Sequence, residues 1–166
     1  MLAKRPWLLA PQAANDVADK LVELLDTPRH PAAQSATPTS GARVAVAPRF
    51  GPMFSSLGVA ARQYGYGIDM SELRGVLRNL TRQAEAGDLE TVIFSWDSPG
   101  GEASGVPRTA DEFAALSKVA KTISWVEGMC CSAAYWCAAR TGKIYGHDMS
   151  LMSSIGVIPG PVDFSR

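Results

Sequence analysis

From Arg43 onward, short runs of β-branched and aromatic residues alternate with amphipathic helical stretches, and few folds accommodate that order. "RVAVAPRF" (43–50), "ETVIFSW" (90–96) and "TISWVE" (122–127) read as strands. Between the first two, Met70, Leu73, Val76, Leu77, Leu80 and Ala84 recur at helical spacing. Asp69 is a candidate N-cap there, with Glu72 three residues later, and Gly87 is a stop. Thr109 and Glu112, in "TADE", form a second capping-box signature that opens a helix through Lys121. A third helix is expected over 132–140, ended by Gly142, and "KIYG" and "SSIGVI" are two further short strands. Strand, helix, strand in succession calls for parallel β-α-β units with right-handed crossovers, so the class is α/β. There is no internal repeat.

The preceding residues are of another kind. Asn15 caps an expected short helix over "DVADKLVELLD", and "TPRHPAAQSATPTSGA" follows without periodicity, as a flexible linker. Residues 1–42 therefore read as an appended arm and 43–166 as the folded domain. His30 falls in the linker and reads as solvated.

Sixteen basic and sixteen acidic side chains give a net charge of zero, which offers no electrostatic footing for nucleic acid. Pro6 and Pro11 fence an apolar run too short for a signal-peptide core, and no window approaches a membrane span. Cys130, Cys131 and Cys137 are too close and too few for a disulfide framework and lack metal-ligand spacing, so no metal and no other cofactor is expected. They read as reduced, small, buried residues of a cytoplasmic protein.

In an open α/β sheet, reactive groups gather beyond the carboxyl ends of the strands. Two loops sit there. "DSPGG" (97–101) joins a proline-fixed turn to paired glycines, which lets backbone N–H groups be aimed at an oxygen. The same loop is equally readable as an ordinary turn, with Asp97 making a local Asx-type bond. "GMCCSAA" (128–134) places Ser132 at a strand-to-helix junction, with the N–H of Ala133 beside it. A serine plus amides from two loops is an acyl-transfer constellation; from spacing alone, Ser132 is as readily an N-cap. Cys131 rivals it as a nucleophile, but nothing adjacent supplies the base that a thiolate needs. Tyr135 and Trp136 read as core or subunit-contact residues.

The stretch 44–158 resembles the signal peptide peptidase A family of serine peptidases, and most of all its phage members, the head maturation (prohead) proteases. The resemblance rests on "DSPGG", on "CSAAYWCAA" (131–139) and on "SSIGV" (153–157), in that order and at fitting separations. "RPWLLAP" near the start also resembles the phage subgroup. The resemblance implies a Clp protease/crotonase-like fold of stacked β-β-α units that assembles into homo-oligomeric rings. It implies Ser132 as nucleophile and the amides of Gly100 or Gly101 and of Ala133 as the oxyanion hole. It further implies a capsid scaffold or portal-associated protein as substrate, processed in the host cytoplasm or inside the prohead.

The family's general base is a lysine farther along the chain than Arg166, so the domain reads as truncated at its C-terminus and inactive alone. Three accounts are open: a piece of a longer Ser-Lys endopeptidase, a non-catalytic remnant or assembly subunit, or a local base at His147 with Asp148. His147 reads as an exposed turn residue, and Lys143 as solvated at a strand start. A soluble hydrolase of signal peptides would share the chemistry and differ in substrate. A crotonase-like acyl-CoA enzyme would need an adenine pocket, of which the sequence gives no sign.

Overall fold

The computed structural model describes residues 7–9, 37–38, 43–58, 61 and 65–158. The helix expected after Asn15, His30 and the residues after Ile158 lie outside them.

A six-stranded sheet forms the frame. β3 (Val44–Phe50), β6 (Thr91–Ser98) and β8 (Lys121–Cys131) run parallel, with β2 (Thr37–Pro38) antiparallel on the outer edge of β3. The other edge of β8 is shared. β9 (Lys143–Gly146) pairs with Ile123–Val126, and β10 (Leu151–Ser153) with Met129–Cys131, both parallel. A smaller sheet, in the order β1–β7–β4–β5, is built from β1 (Trp7–Leu9), β7 (Gly100–Glu102), β4 (Met53–Phe54) and β5 (Ile68–Asp69). β4, β5 and β7 arise from stretches that read as loops. Two-residue ladders carry no periodicity for a sequence to display.

Alternation explains why the strands bury one face. In β6, Val92, Phe94, Trp96 and Ser98 are buried, and the intervening residues are half-buried or exposed. Against that face lie α1 (Met70–Glu85), α2 (Val106–Leu116) and α3 (Ala133–Ala138). Phe113 of α2 anchors the packing, edge-on to Phe94 at 4.7 Å and tilted against Trp96 at 5.8 Å. Arg49 is buried in this layer, 5.8 Å over the Phe94 ring. Burial lowers its pKa to about 10, against the opposing influence of Glu72 and Cys137.

α1 begins where its cap dictates: Asp69 accepts the N–H groups of Ser71 and Glu72, and Gly87, at φ +82°, follows its end. α2 departs from expectation. It opens three residues before Thr109, on Gly105 at φ +90°, with Pro107 in its first turn. Thr109 bonds back to the Gly105 carbonyl, and Glu112 pairs with Arg78 of α1, so neither serves as a cap. The "GMCC" turn is likewise absent, because β8 continues, with a bulge, to Cys131, and α3 is only six residues long. "SSIGVI" is not a strand either; β10 lies two residues earlier, and Ser154 takes φ +61°.

Candidate active site

β6 and β8 carry both loops of interest to the same end of the sheet. Trp96 pairs with Val126 and Ser98 with Cys130, so β8 gains two residues on β6 in a bulge over 127–129. Asp97 holds this bulge: its Oδ1 accepts the Met129 N–H at 3.1 Å, across strands and not in the local turn that its sequence suggests. A Cβ on Gly128 would fall 2.7 Å from the same oxygen, so only glycine lets the carboxylate approach. The bulge brings the end of β8 beside the Pro-Gly-Gly bend.

Ser132 follows at once, at φ +54° and ψ −115°. A residue with a Cβ rarely adopts this conformation, and holding it costs about 1–3 kcal/mol. Three restraints maintain it. Its N–H donates to Ser153 O at 3.0 Å, its carbonyl accepts from Trp136 N–H at 2.9 Å, and the flanking Cys131, Ala133 and Ala134 are fully buried. The side chain makes no cap: Ser132 Oγ is buried and has no hydrogen-bond partner among the described residues. An N-cap serine uses its oxygen on the first-turn N–H groups. This one turns away from them, which favours the nucleophile reading. Its 5% exposure is less than an open active site would show.

The facing bend is as constrained. Gly101 lies against β4, where an added Cβ would meet Met53 O at 1.8 Å, so no other residue fits without separating the strands. Gly100 takes φ +95°, and its N–H reaches Ser98 Oγ at 3.2 Å. Ser98 is fully buried and went unremarked in the sequence; a serine directly before Pro-Gly-Gly was the available signal. Glu102, also buried, accepts the Ser55 N–H at 2.6 Å and anchors the residues after β4.

The other candidates lie elsewhere. Lys143 pairs with Ile123, about 25–30 Å down β8 from Ser132 at ~3.3 Å per residue. His147 follows the carboxyl end of β9, exposed and edge-on to Trp125 at 4.9 Å, with Asp148 also exposed, and neither side chain hydrogen-bonds Ser132 Oγ. Cys130 is buried and its thiol is pushed up to about 12 by burial and the neighbouring Cys131; Cys137 is raised further by burial. Cys131 Sγ lies 3.7 Å from Leu151 O and from Ser153 Oγ, in packing. Tyr135 packs against the core, while Trp136 is exposed. Among the described residues, no group of three or more His, Cys, Asp or Glu is placed to hold a metal ion. No helix among them is long and apolar enough to cross a membrane.

Over 71% of this chain, the backbone is similar to that of a solved enoyl-CoA hydratase/isomerase family member, with a TM-score of 0.50 at 15% identity. The fold is Clp/crotonase-like. ThnE from S.clavuligerus is a weaker match, at a TM-score of 0.41 and 12% identity over 69% of the chain. The chain spans about half the length of the solved structures it matches, 48% of each. No protein-family model matches the chain, and neither does any curated protein. In a crotonase-like frame of this kind, the junction at Ser132 and the bend at Gly100–Gly101 occupy neighbouring strand ends.

Proposed function

We propose that the chain carries the nucleophile and oxyanion hole of a serine endopeptidase of the signal peptide peptidase A type, acting on capsid or scaffold proteins during phage head maturation. The observation that carries this reading is Ser132 itself, a strained, uncapped serine with an unpartnered oxygen where a strand hands over to a helix. Nucleophile elbows on unrelated folds use this same geometry to push a hydroxyl out of a sharp turn. The head-maturation assignment rests on the motif resemblance alone.

Ser132 Oγ attacks the scissile carbonyl carbon and loses its proton to a base. The resulting oxyanion is held by the amides of Gly100 or Gly101 and of Ala133. Because the Gly100 N–H already makes a long bond to Ser98 Oγ, a developing oxyanion exchanges that bond for a charge-assisted one. Collapse expels the amine, and water then hydrolyses the acyl-enzyme. No described residue hydrogen-bonds Ser132 Oγ; the motif resemblance implies a lysine as the base. The test is reaction with a fluorophosphonate, mapped by mass spectrometry. An adduct on Ser132 that disappears in Ser132→Ala supports the reading, and equal labelling of both proteins contradicts it.

A second reading, a non-catalytic assembly subunit, is favoured by the burial of Ser132 Oγ and its lack of a base. It predicts assembly without labelling under any condition.

A further inference from the structure

β1 lies within the stretch 1–42 that the sequence reads as an appended arm, yet it joins the smaller sheet. Its three residues run antiparallel along β7, with Leu9 opposite Gly100, Leu8 opposite Gly101 and Trp7 opposite Glu102. This is the backbone edge assigned to oxyanion binding. Adding an extended strand to a free edge is a common way for proteins to take peptides, main chain supplying affinity and side chains supplying choice. Ser132 heads α3, which packs against β7, and its Oγ is buried with no hydrogen-bond partner among the described residues. An occupied edge next to a closed, unused hydroxyl is the arrangement of a site already holding a peptide.

We propose that residues 7–9 occupy the peptide-docking edge of β7 in cis, as a tethered competitor that incoming substrate must displace. The meaning of the edge as a substrate site rests on the peptidase reading of Ser132; its occupation by the chain's own strand rests on the pairing. The segment "RPWLLAP" is suited to such a role. The added strand is three residues long, so its release requires few bonds to open. Tethering supplies an effective concentration in the millimolar range. A free peptide of ordinary strength is therefore excluded until the strand lets go.

The experiment compares the unmodified chain with the double variant Leu8→Pro, Leu9→Pro. Removing N–H donors at two successive positions breaks the ladder whichever of the two faces β7. The probe is a fluorescein-labelled heptapeptide of sequence RPWLLAP, followed by anisotropy. Its apparent affinity is expected to be at least about tenfold higher for the variant, because the tethered strand no longer competes. Equal affinity for both proteins overturns the proposal. Hydrogen exchange on the unmodified chain is an independent check that needs no folded variant: amides in 100–102 and in 8–9 are expected to be protected together. Exchange at random-coil rates in 8–9 overturns the proposal. Fluorophosphonate reaction separates this idea from the one beneath it. If the heptapeptide binds the variant selectively but Ser132 never reacts, cis occupation stands and the peptidase reading fails. If Ser132 reacts equally fast in both proteins, the strand does not guard the site and the proposal fails.

Discussion

At the scale of single residues, what the sequence displayed was position and what it concealed was conformation. That Ser132 sits between a strand and a helix, directly after Cys130 and Cys131, was legible from "GMCCSAA". Its φ of +54° was not, because that angle is held by a hydrogen bond to Ser153 of β10, twenty-one residues away, and by the burial of its flanking residues. The strain makes a specific prediction. Ser132→Gly relieves it and is expected to raise stability by about 1 kcal/mol in denaturant unfolding while abolishing any fluorophosphonate adduct. Ser132→Ala abolishes the adduct without that gain. Cys130, next to the rival thiol Cys131, gives a second test, by alkylation. The folded-state pKa of Cys130, raised by burial to about 12, keeps it protonated well above its unfolded value of about 8.5. The stability this contributes is fully present below about pH 8.5 and is lost as pH rises toward 12. Native protein at pH 8 is therefore expected to resist iodoacetamide at Cys130, and unfolded protein to react.

At the scale of elements, long periodic segments were readable and short ones depended on tertiary context. Asp69 caps α1 as its sequence indicates, and the cap is pH-sensitive. Burial tends to raise the Asp69 pKa, but hydrogen bonds from Ser71, Leu57 and Glu72 outweigh it and hold the carboxylate below the usual range. A depressed folded pKa contributes stability above the unfolded value near 3.9, and that contribution is lost as pH falls through the folded one. Asp69→Ala is expected to cost about 1–2 kcal/mol at neutral pH, with the gap from the unmodified chain narrowing in acid denaturation series. The start of α2 was misplaced because "TADE" has the residues of a capping box while Gly105 and Pro107 have the geometry of a helix start. β7 was missed because its three residues form a strand only against β1 and β4. Gly101→Ala tests how tightly that strand is held. With an added Cβ 1.8 Å from Met53 O, the variant is expected to lose more than about 2 kcal/mol, or to release β7 in hydrogen exchange.

At the scale of the whole molecule, the α/β class and the parallel order followed from alternation, and the fold is similar to that of a solved enoyl-CoA hydratase/isomerase family member. Fold alone names no reaction, so the functional reading stands on the Ser132 site. One surface feature could not be foreseen. Residues 149–158 present Met149 at 93% exposure and Ile155 at 85%, with Leu151, Met152, Val157 and Ile158 also exposed. Contiguous apolar surface of this kind marks contact regions. Given the ring assembly implied by the motif resemblance, the chain is expected to self-associate in sedimentation velocity at micromolar concentration, and Met149→Lys with Ile155→Lys to shift it toward monomer.

The central claim is that the hydroxyl of Ser132 is a nucleophile facing preset amides. Boron NMR of a peptide boronic acid mixed with the unmodified chain and with the Leu8→Pro, Leu9→Pro variant tests it most directly, since boron becomes tetrahedral on bonding a serine oxygen. The account predicts a tetrahedral signal that is stronger in the variant, survives Cys131→Ala and vanishes in Ser132→Ala. A boron that stays trigonal in both proteins, or a tetrahedral signal that outlives Ser132→Ala, contradicts it.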